Sequence, residues 1–241
     1  MHTRKISSLQ HPLIKHLVKV RENSRYRKEQ KSAFVLGTRM LKTITPKAQL
    51  KRIVALSEQN EYSADEQLIV TKEILKKISG TPSPEPIAAE VALPENQKIS
   101  GSLLLALDQI SDPGNLGTLL RTAFAFGVAG VFLTSGCADP FNDKALRAAK
   151  GVTFLLPLQH GDLNDLITIA KNRTVYIADL GGKELSKPQT PALLILGNES
   201  HGPSPQLLEL GEKVTIPMRP EIDSLNVAIA GSILLHQMRS M

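Results

Sequence analysis

Three polar, glycine-flanked stretches hold the residues whose types and spacing could do chemistry. The first is Asp108-Gln109-Ile110-Ser111-Asp112-Pro113-Gly114-Asn115-Leu116-Gly117-Thr118-Leu119-Leu120-Arg121, which reads as a strand end running into a helix. Gly114 and Gly117 allow close backbone approach, and free N–H groups at a helix start favour an anion. Arg121 sits well inside that otherwise apolar helix. An unpaired buried guanidinium is costly, so Arg121 should face a carboxylate, a phosphate or an open site, or else pair with an acid at the helix edge. Two glycines fall short of the dinucleotide fingerprint. The second stretch, Gly197-Asn198-Glu199-Ser200-His201-Gly202-Pro203, breaks out of the apolar run Leu194-Ile195-Leu196. Glu199 could do chemistry or cap the following helix, and His201 lacks a companion at metal-ligand spacing. The third runs from Val214-Thr215-Ile216-Pro217-Met218 to Asp223-Ser224-Leu225-Asn226-Val227-Ala228. Asp223 or Ser224 is expected to cap the last helix, which puts Asn226 inside it with an amide that needs partners if buried.

The elements that must position these stretches follow from periodicity. Leu103 to Leu107, Gly130 to Leu133, Thr174 to Ala178 and Leu193 to Leu196 read as buried strands. Leu116 to Phe126, Lys144 to Lys150, Leu163 to Lys171 and Leu225 to Met238 read as helices between or after them. That alternation predicts a largely parallel sheet with helices on both faces, where ligands bind beyond the carboxyl ends of the strands. Upstream, Leu9 to Val20 reads as a helix, and Ala33 to Leu36, Ile53 to Leu56 and Gln67 to Val70 as short strands of a small α/β domain. Prolines concentrate at Pro82, Pro84, Pro86 and Pro94, so the connection between domains is expected between about residues 81 and 100. The division predicted is 1–96 and 97–241.

The charge is unevenly placed. Residues 1–52 carry 14 Lys/Arg against Glu22 and Glu29, a net +12, whereas residues 101–241 carry 11 against 13 acids, a net −2. Lys15, Lys19, Arg21, Arg25, Arg27 and Lys28, with Arg39 further on, could meet successive phosphates of a nucleic acid; a solvated helix face is the plainer alternative. Cys137 is the only cysteine, which excludes an internal disulfide and a cysteine-built zinc site. No apolar stretch of membrane-spanning length and no secretory leader is visible, so a soluble, cytoplasmic protein without membrane or metal partners is expected.

Taken in order, Asn115 through Arg121, Gly197-Asn198-Glu199 to Gly202, and Ile216-Pro217-Met218 to Ser224-Leu225-Asn226 closely resemble the three motifs of the SpoU (TrmH-like) branch of the SPOUT RNA 2'-O-ribose methyltransferases. Ile6-Ser7-Ser8-Leu9-Gln10-His11-Pro12-Leu13-Ile14-Lys15, continuing to Phe34-Val35-Leu36-Gly37-Thr38-Arg39, looks like that family's L30e-like substrate-binding domain. Leu36 stands where an acid is usual, His201 where Arg is common, and Pro220 where Gly is common.

The resemblance implies an α/β trefoil-knot catalytic domain preceded by the small RNA-binding domain. It implies S-adenosylmethionine as cofactor, held by Leu196, Gly197, Asn198, Gly202, Ile216, Pro217, Met218, Leu225 and Asn226. It places Arg121, Asn115, Glu199, Ser224 and Asn226 at the catalytic centre, with Glu199 and Asn226 orienting Arg121 and the ribose. Arg121 is sometimes given as the base, but a guanidinium that stays protonated above about pH 12 suits phosphate holding and alkoxide stabilisation better. It implies RNA as partner, ribosomal first and transfer RNA second, and a homodimer through the C-terminal helix. The competing readings are a non-catalytic RNA-binding module and a Rossmann-type nucleotide enzyme using Gly114 and Gly117.

Overall fold

The computed structural model describes residues 2–239 and divides into two compact units. One runs to Glu95 and also takes in Phe141–Leu155; the other comprises Asn96–Pro140 and the chain from Leu156 on.

The first unit contains β1 (His2–Ile6), α1 (Pro12–Glu22), α2 (Ser24–Gln30), β2 (Ser32–Leu36), α3 (Thr38–Ile44), β3 (Leu50–Ala55), β4 (Glu66–Val70), α4 (Lys72–Ser79) and β5 (Ile87–Ala92). Its sheet has the order β1-β4-β3-β5-β2, with β4 parallel to β1 and β3 and β5 antiparallel to β3 and β2. Helix α1 starts where Pro12 supplies a preset φ and the His11 ring accepts from the Leu13 N–H; it buries Ile14, Leu17 and Val20. Helix α4 is capped by the Thr71 hydroxyl and ended by left-handed Gly80, and it buries Ile74, Leu75 and Ile78 in the same core. A buried polar knot crosses this sheet: Arg52 pairs with Glu66 at 2.9 Å and Glu90 at 2.5 Å, and His16 Nε2 lies 3.0 Å from Glu90. Burial alone would raise the Glu90 carboxyl, but hydrogen bonds from His16, Ser32 and Arg52 outweigh it and hold it at about 2.

The first unit runs to Glu95, inside the stretch 81–100 expected as the connection, and part of that stretch is strand β5. It lies between β3 and β2 because Pro82, Pro84 and Pro86 all precede it, so no proline needs to donate to the ladder. Strand β1 and helices α2, α3 and α4 are likewise additions to the sequence reading.

The second unit begins with β6 (Leu103–Leu107), α5 (Pro113–Ala125) and β7 (Gly130–Thr134). Helix α6 (Asp143–Ala149) lies in the stretch that groups with the first unit. The second unit continues with β8 (Leu158–Gly161), α7 (Leu163–Ala170), β9 (Thr174–Glu184), β10 (Ala192–Leu196), β11 (Glu212–Thr215) and α8 (Val227–Met238). All six strands are parallel, in the order β11-β9-β10-β6-β7-β8. Every residue of β6, β7 and β10 is buried, as expected of parallel strands covered on both faces. The chain builds outward from β6 through β7 to β8 and returns through β9 and β10, so the order reverses between β6 and β10. The loops leaving those two neighbours therefore open side by side at the carboxyl edge, where a crevice forms in such sheets.

Four elements differ from the sequence reading here. Strand β9 runs on to Glu184 instead of stopping at Ala178, and β8 and β11 are short strands without a clear apolar run. Helix α8 begins after Asn226, whose side-chain oxygen accepts from the Ala228 and Ile229 N–H groups at 2.9 and 3.3 Å. Asn226 is thus the N-cap in place of Asp223 or Ser224, and its backbone is not yet helical. Among the described residues no helix is long and apolar enough to cross a membrane.

Candidate active site

The loop after β6 is tied down by Asp108, a carboxylate with no exposed surface. It accepts from the Thr134 hydroxyl at 2.8 Å and the Ser204 N–H at 2.7 Å, joining the ends of β6, β7 and the loop after β10. Gln109 adds a bond from its amide to the Ser204 hydroxyl at 3.0 Å. Its carbonyl accepts from the Asn198 amide at 2.8 Å. Sequence reasoning gave Asp108 no role; its one signal is an acid placed directly after five apolar residues.

Asn198 folds the second loop into a small hairpin, exchanging two backbone bonds of 3.0 Å with Gly202. Gly202 takes φ of 70°, which favours glycine. The turn delivers Glu199 to the start of α5. There Glu199 accepts from the Ser111 N–H and hydroxyl, the Asp112 N–H and the Asn115 amide, at 3.1–3.2 Å. Partial burial pushes the Glu199 carboxyl upward, but Asn115 and the backbone N–H groups outweigh it and hold it below the usual range. Asp112 caps α5 by accepting from the Asn115 N–H at 2.8 Å.

Asn115 passes the network on. Its side-chain oxygen accepts from the Asn226 amide at 2.9 Å while Asn226 caps α8. Glu199, Asn115 and Asn226 therefore link all three polar stretches in one chain of hydrogen bonds. They border a cleft of about 630 Å³. Leu196, Ile216, Met218, Leu225 and Leu234 give it apolar walls, and Asn198, Gly197, Gly202 and Ser224 add polar and backbone surface. Gly197 is essential to its shape, because a Cβ there would lie 2.0 Å from the Pro203 nitrogen.

Of the residues expected to line a cofactor site, Pro217 alone is outside the lining; it is exposed in the irregular segment after β11. Arg121 is exposed on α5, borders no part of the cleft and has no ion-pair or hydrogen-bond partner among the described residues. Within one chain, Glu199 and Asn226 orient Asn115, not Arg121. The network instead takes up the nearest amide at the helix start, two turns from Arg121.

The expected phosphate contacts divide similarly. Lys15, Lys19, Arg25, Lys28 and Arg39 are exposed, with Lys19 lying 5.6 Å from the Tyr26 ring centre and Arg25 paired to Glu29. Arg27 is 1% exposed and donates to the Val20 and Arg21 carbonyls, so it closes the C-terminus of α1 and cannot meet RNA. Arg21 is largely committed to the Lys77 and Ile78 carbonyls and to Glu22. Helix C-termini leave carbonyls unpaired, and both arginines satisfy them.

Residues 102–236 match the SpoU rRNA Methylase family. An uncharacterized tRNA/rRNA methyltransferase of Synechocystis sp. is 32% identical across 97% of this chain and 93% of its own length. The 23S rRNA (guanosine(2553)-2'-O)-methyltransferase of Bacillus subtilis is 34% identical over 71% of each chain. The crystal structure of an AdoMet-bound rRNA methyltransferase from Sinorhizobium meliloti superposes with a TM-score of 0.88, covering 99% of this chain and 98% of the other at 25% identity. The matched region holds all three polar stretches and the sheet that brings them together; this chain belongs to the SpoU rRNA methylase family.

Proposed function

We propose that the protein methylates a ribose 2'-hydroxyl of ribosomal RNA with S-adenosylmethionine as donor. The observation that carries this reading is the cleft beyond the carboxyl ends of β9, β10 and β11, bordered by the hydrogen-bonded chain Glu199–Asn115–Asn226. The named activities of the Bacillus and Sinorhizobium relatives support the reaction and the RNA class. The cleft fits the cofactor: apolar walls suit a flat base, and the lining contains no Lys or Arg to balance a pyrophosphate. The cofactor supplies an electrophilic methyl group on a sulfonium. The residues proposed to hold it are Leu196, Gly197, Asn198, Gly202, Ile216, Met218, Leu225 and Asn226.

Asn115 and Ser224 would hold the ribose face of the site, with Glu199 keeping Asn115 in one orientation. Arg121, without a partner among the described residues, would grip the adjacent RNA phosphate and stabilise charge on the ribose oxygen as it loses its proton. The finer architecture of this reading has the C-terminal segment threading a loop as a trefoil knot, and the first unit acting as an L30e-like RNA-binding domain in cytoplasmic work. It also has two copies meeting through α8. Ile229 on α8 is 53% exposed and Phe124 on α5 is 43% exposed, apolar surface that a two-fold partner would cover. Transfer RNA is the second substrate class.

Calorimetry tests the cofactor: S-adenosylmethionine and S-adenosylhomocysteine are expected to bind and NAD is not. Tight NAD binding without a response to S-adenosylhomocysteine would overturn the reading. A filter-binding salt titration tests the RNA surface. Replacing Lys15, Lys19 and Lys28 by Ala should weaken RNA binding and lower the log–log salt slope by roughly one for each phosphate that is no longer neutralised. An unchanged slope would reject the phosphate role of these lysines.

A further inference from the structure

The pairing of β9 with β11 is interrupted by an excursion of the β9 chain. Tyr176 and Ile177 face Glu212 and Lys213, but the next pairs are Lys183 with Val214 and Glu184 with Thr215. Ala178 to Gly182 therefore bulge out with no counterpart on β11. Gly182 anchors the far end, since a Cβ there would lie 2.6 Å from the Lys213 carbonyl carbon and Val214 nitrogen. Bulges beside sites re-aim side chains, and this one puts Ala178, Asp179 and Leu180 on the wall of the cleft. Leu180, 64% exposed, is an apolar side chain on that wall.

Asp179 has an unusual position there. One carboxylate oxygen accepts from the Gly181 N–H at 2.9 Å, which fixes its orientation, and the other has no partner among the described residues. The other acids on the wall are Glu199, which already accepts four hydrogen bonds, and Asp223, which is exposed. The only basic side chain in the lining is His201, whose Nδ1 lies 2.8 Å from the Asn198 oxygen. A half-buried, oriented carboxylate with free acceptor capacity, in a cleft without Lys or Arg, is complementary to a cation that carries N–H donors.

We infer that Asp179 receives the α-ammonium group at the amino-acid end of the cofactor, and so decides that the cleft takes a thioadenosine carrying an S-linked amino acid and not a bare thionucleoside. This rests on the cofactor reading proposed above. The adenosine end would then lie toward Gly197 and Ile216, and the excursion would act as a selector for the other end.

The test compares two thionucleosides by calorimetry. S-adenosylhomocysteine has the amino-acid end and 5'-methylthioadenosine lacks it, while both share the adenosine. Asp179→Asn keeps an oxygen that can accept from the Gly181 N–H, so the excursion should hold its shape. The wild-type protein should bind S-adenosylhomocysteine more tightly than methylthioadenosine. Asp179→Asn should cost about tenfold or more in S-adenosylhomocysteine affinity while leaving methylthioadenosine affinity unchanged. Undiminished S-adenosylhomocysteine binding would overturn the assignment, and so would an equal loss for both ligands. Loss of the preference in Asp223→Asn but not in Asp179→Asn would overturn it in favour of the exposed acid. A wild-type protein that binds neither ligand would overturn the cofactor reading itself.

Discussion

Arg121→Ala is expected to lower methyl transfer by about a hundred- to a thousandfold, the usual cost of removing one group that stabilises developing charge. S-adenosylmethionine affinity should stay within a few fold of wild type. The two halves of the expectation come from the same fact: Arg121 is exposed, outside the cleft and unpaired among the described residues. Its removal therefore takes nothing from the fold or the cofactor walls, and the melting temperature should hold as for other surface changes. What it removes is a cation available to a phosphate or to a partner's site. Single-turnover transfer to ribosomal RNA, measured alongside calorimetry, separates the effects; near-normal turnover would sink the proposed role. The same variant reports on assembly. Mixed under subunit exchange with Asn226→Ala, it should recover about a quarter of wild-type activity if each site takes Arg121 from one chain and Asn226 from the other, because half of the dimers then own one intact site.

The polar stretches were legible because each interrupts an apolar run that a buried parallel strand requires, and a glycine-flanked loop there has few purely structural uses. Their adjacency was implied by the resemblance to the SpoU motifs and not by periodicity. It depends on the β6/β10 reversal, a property of strand order that periodicity does not encode. Asn226 shows the same limit at one residue. Its amide was expected to need partners, and it has them, but as the cap of α8 and a donor to Asn115.

Charge was the least transferable signal. The +12 segment does present exposed Lys15, Lys19, Lys28, Arg25 and Arg39, yet Arg21 and Arg27 in the midst of them are consumed by helix-end carbonyls. Counting cations along the chain cannot tell a phosphate ligand from a cap, since both need the same donor. Proline density marked the stretch in which the first unit ends but hid β5: it shows where donors are missing, and a strand that begins just after Pro86 loses nothing.

Gly197→Ala should be the most damaging single-methyl change in the cofactor cleft. The added carbon would lie 2.0 Å from the Pro203 nitrogen, 2.2 Å from the Gly202 carbonyl carbon and 2.4 Å from the Pro203 Cα. Every one of these is backbone, so no side chain can swing aside to relieve the clash. Nor can the loop easily retreat: Asp108 and Gln109 hold Ser204 behind it, and Asn198 is bonded to the Gln109 carbonyl. Overpacking of this kind costs about 1–3 kcal/mol. If the loop yields on the cleft side, that cost appears as a loss of about ten- to a hundredfold in S-adenosylhomocysteine affinity. Gly202→Ala is the matched control. Its Cβ would meet nothing within 4 Å, and its only penalty is the φ of 70°, about 1–2 kcal/mol spent on the turn itself. Calorimetry should therefore rank Gly197→Ala well below Gly202→Ala, with Gly202→Ala showing its cost mainly as a lower melting temperature. The reverse order would mean that the hairpin tip, and not the Gly197–Pro203 contact, sets the shape of the cleft.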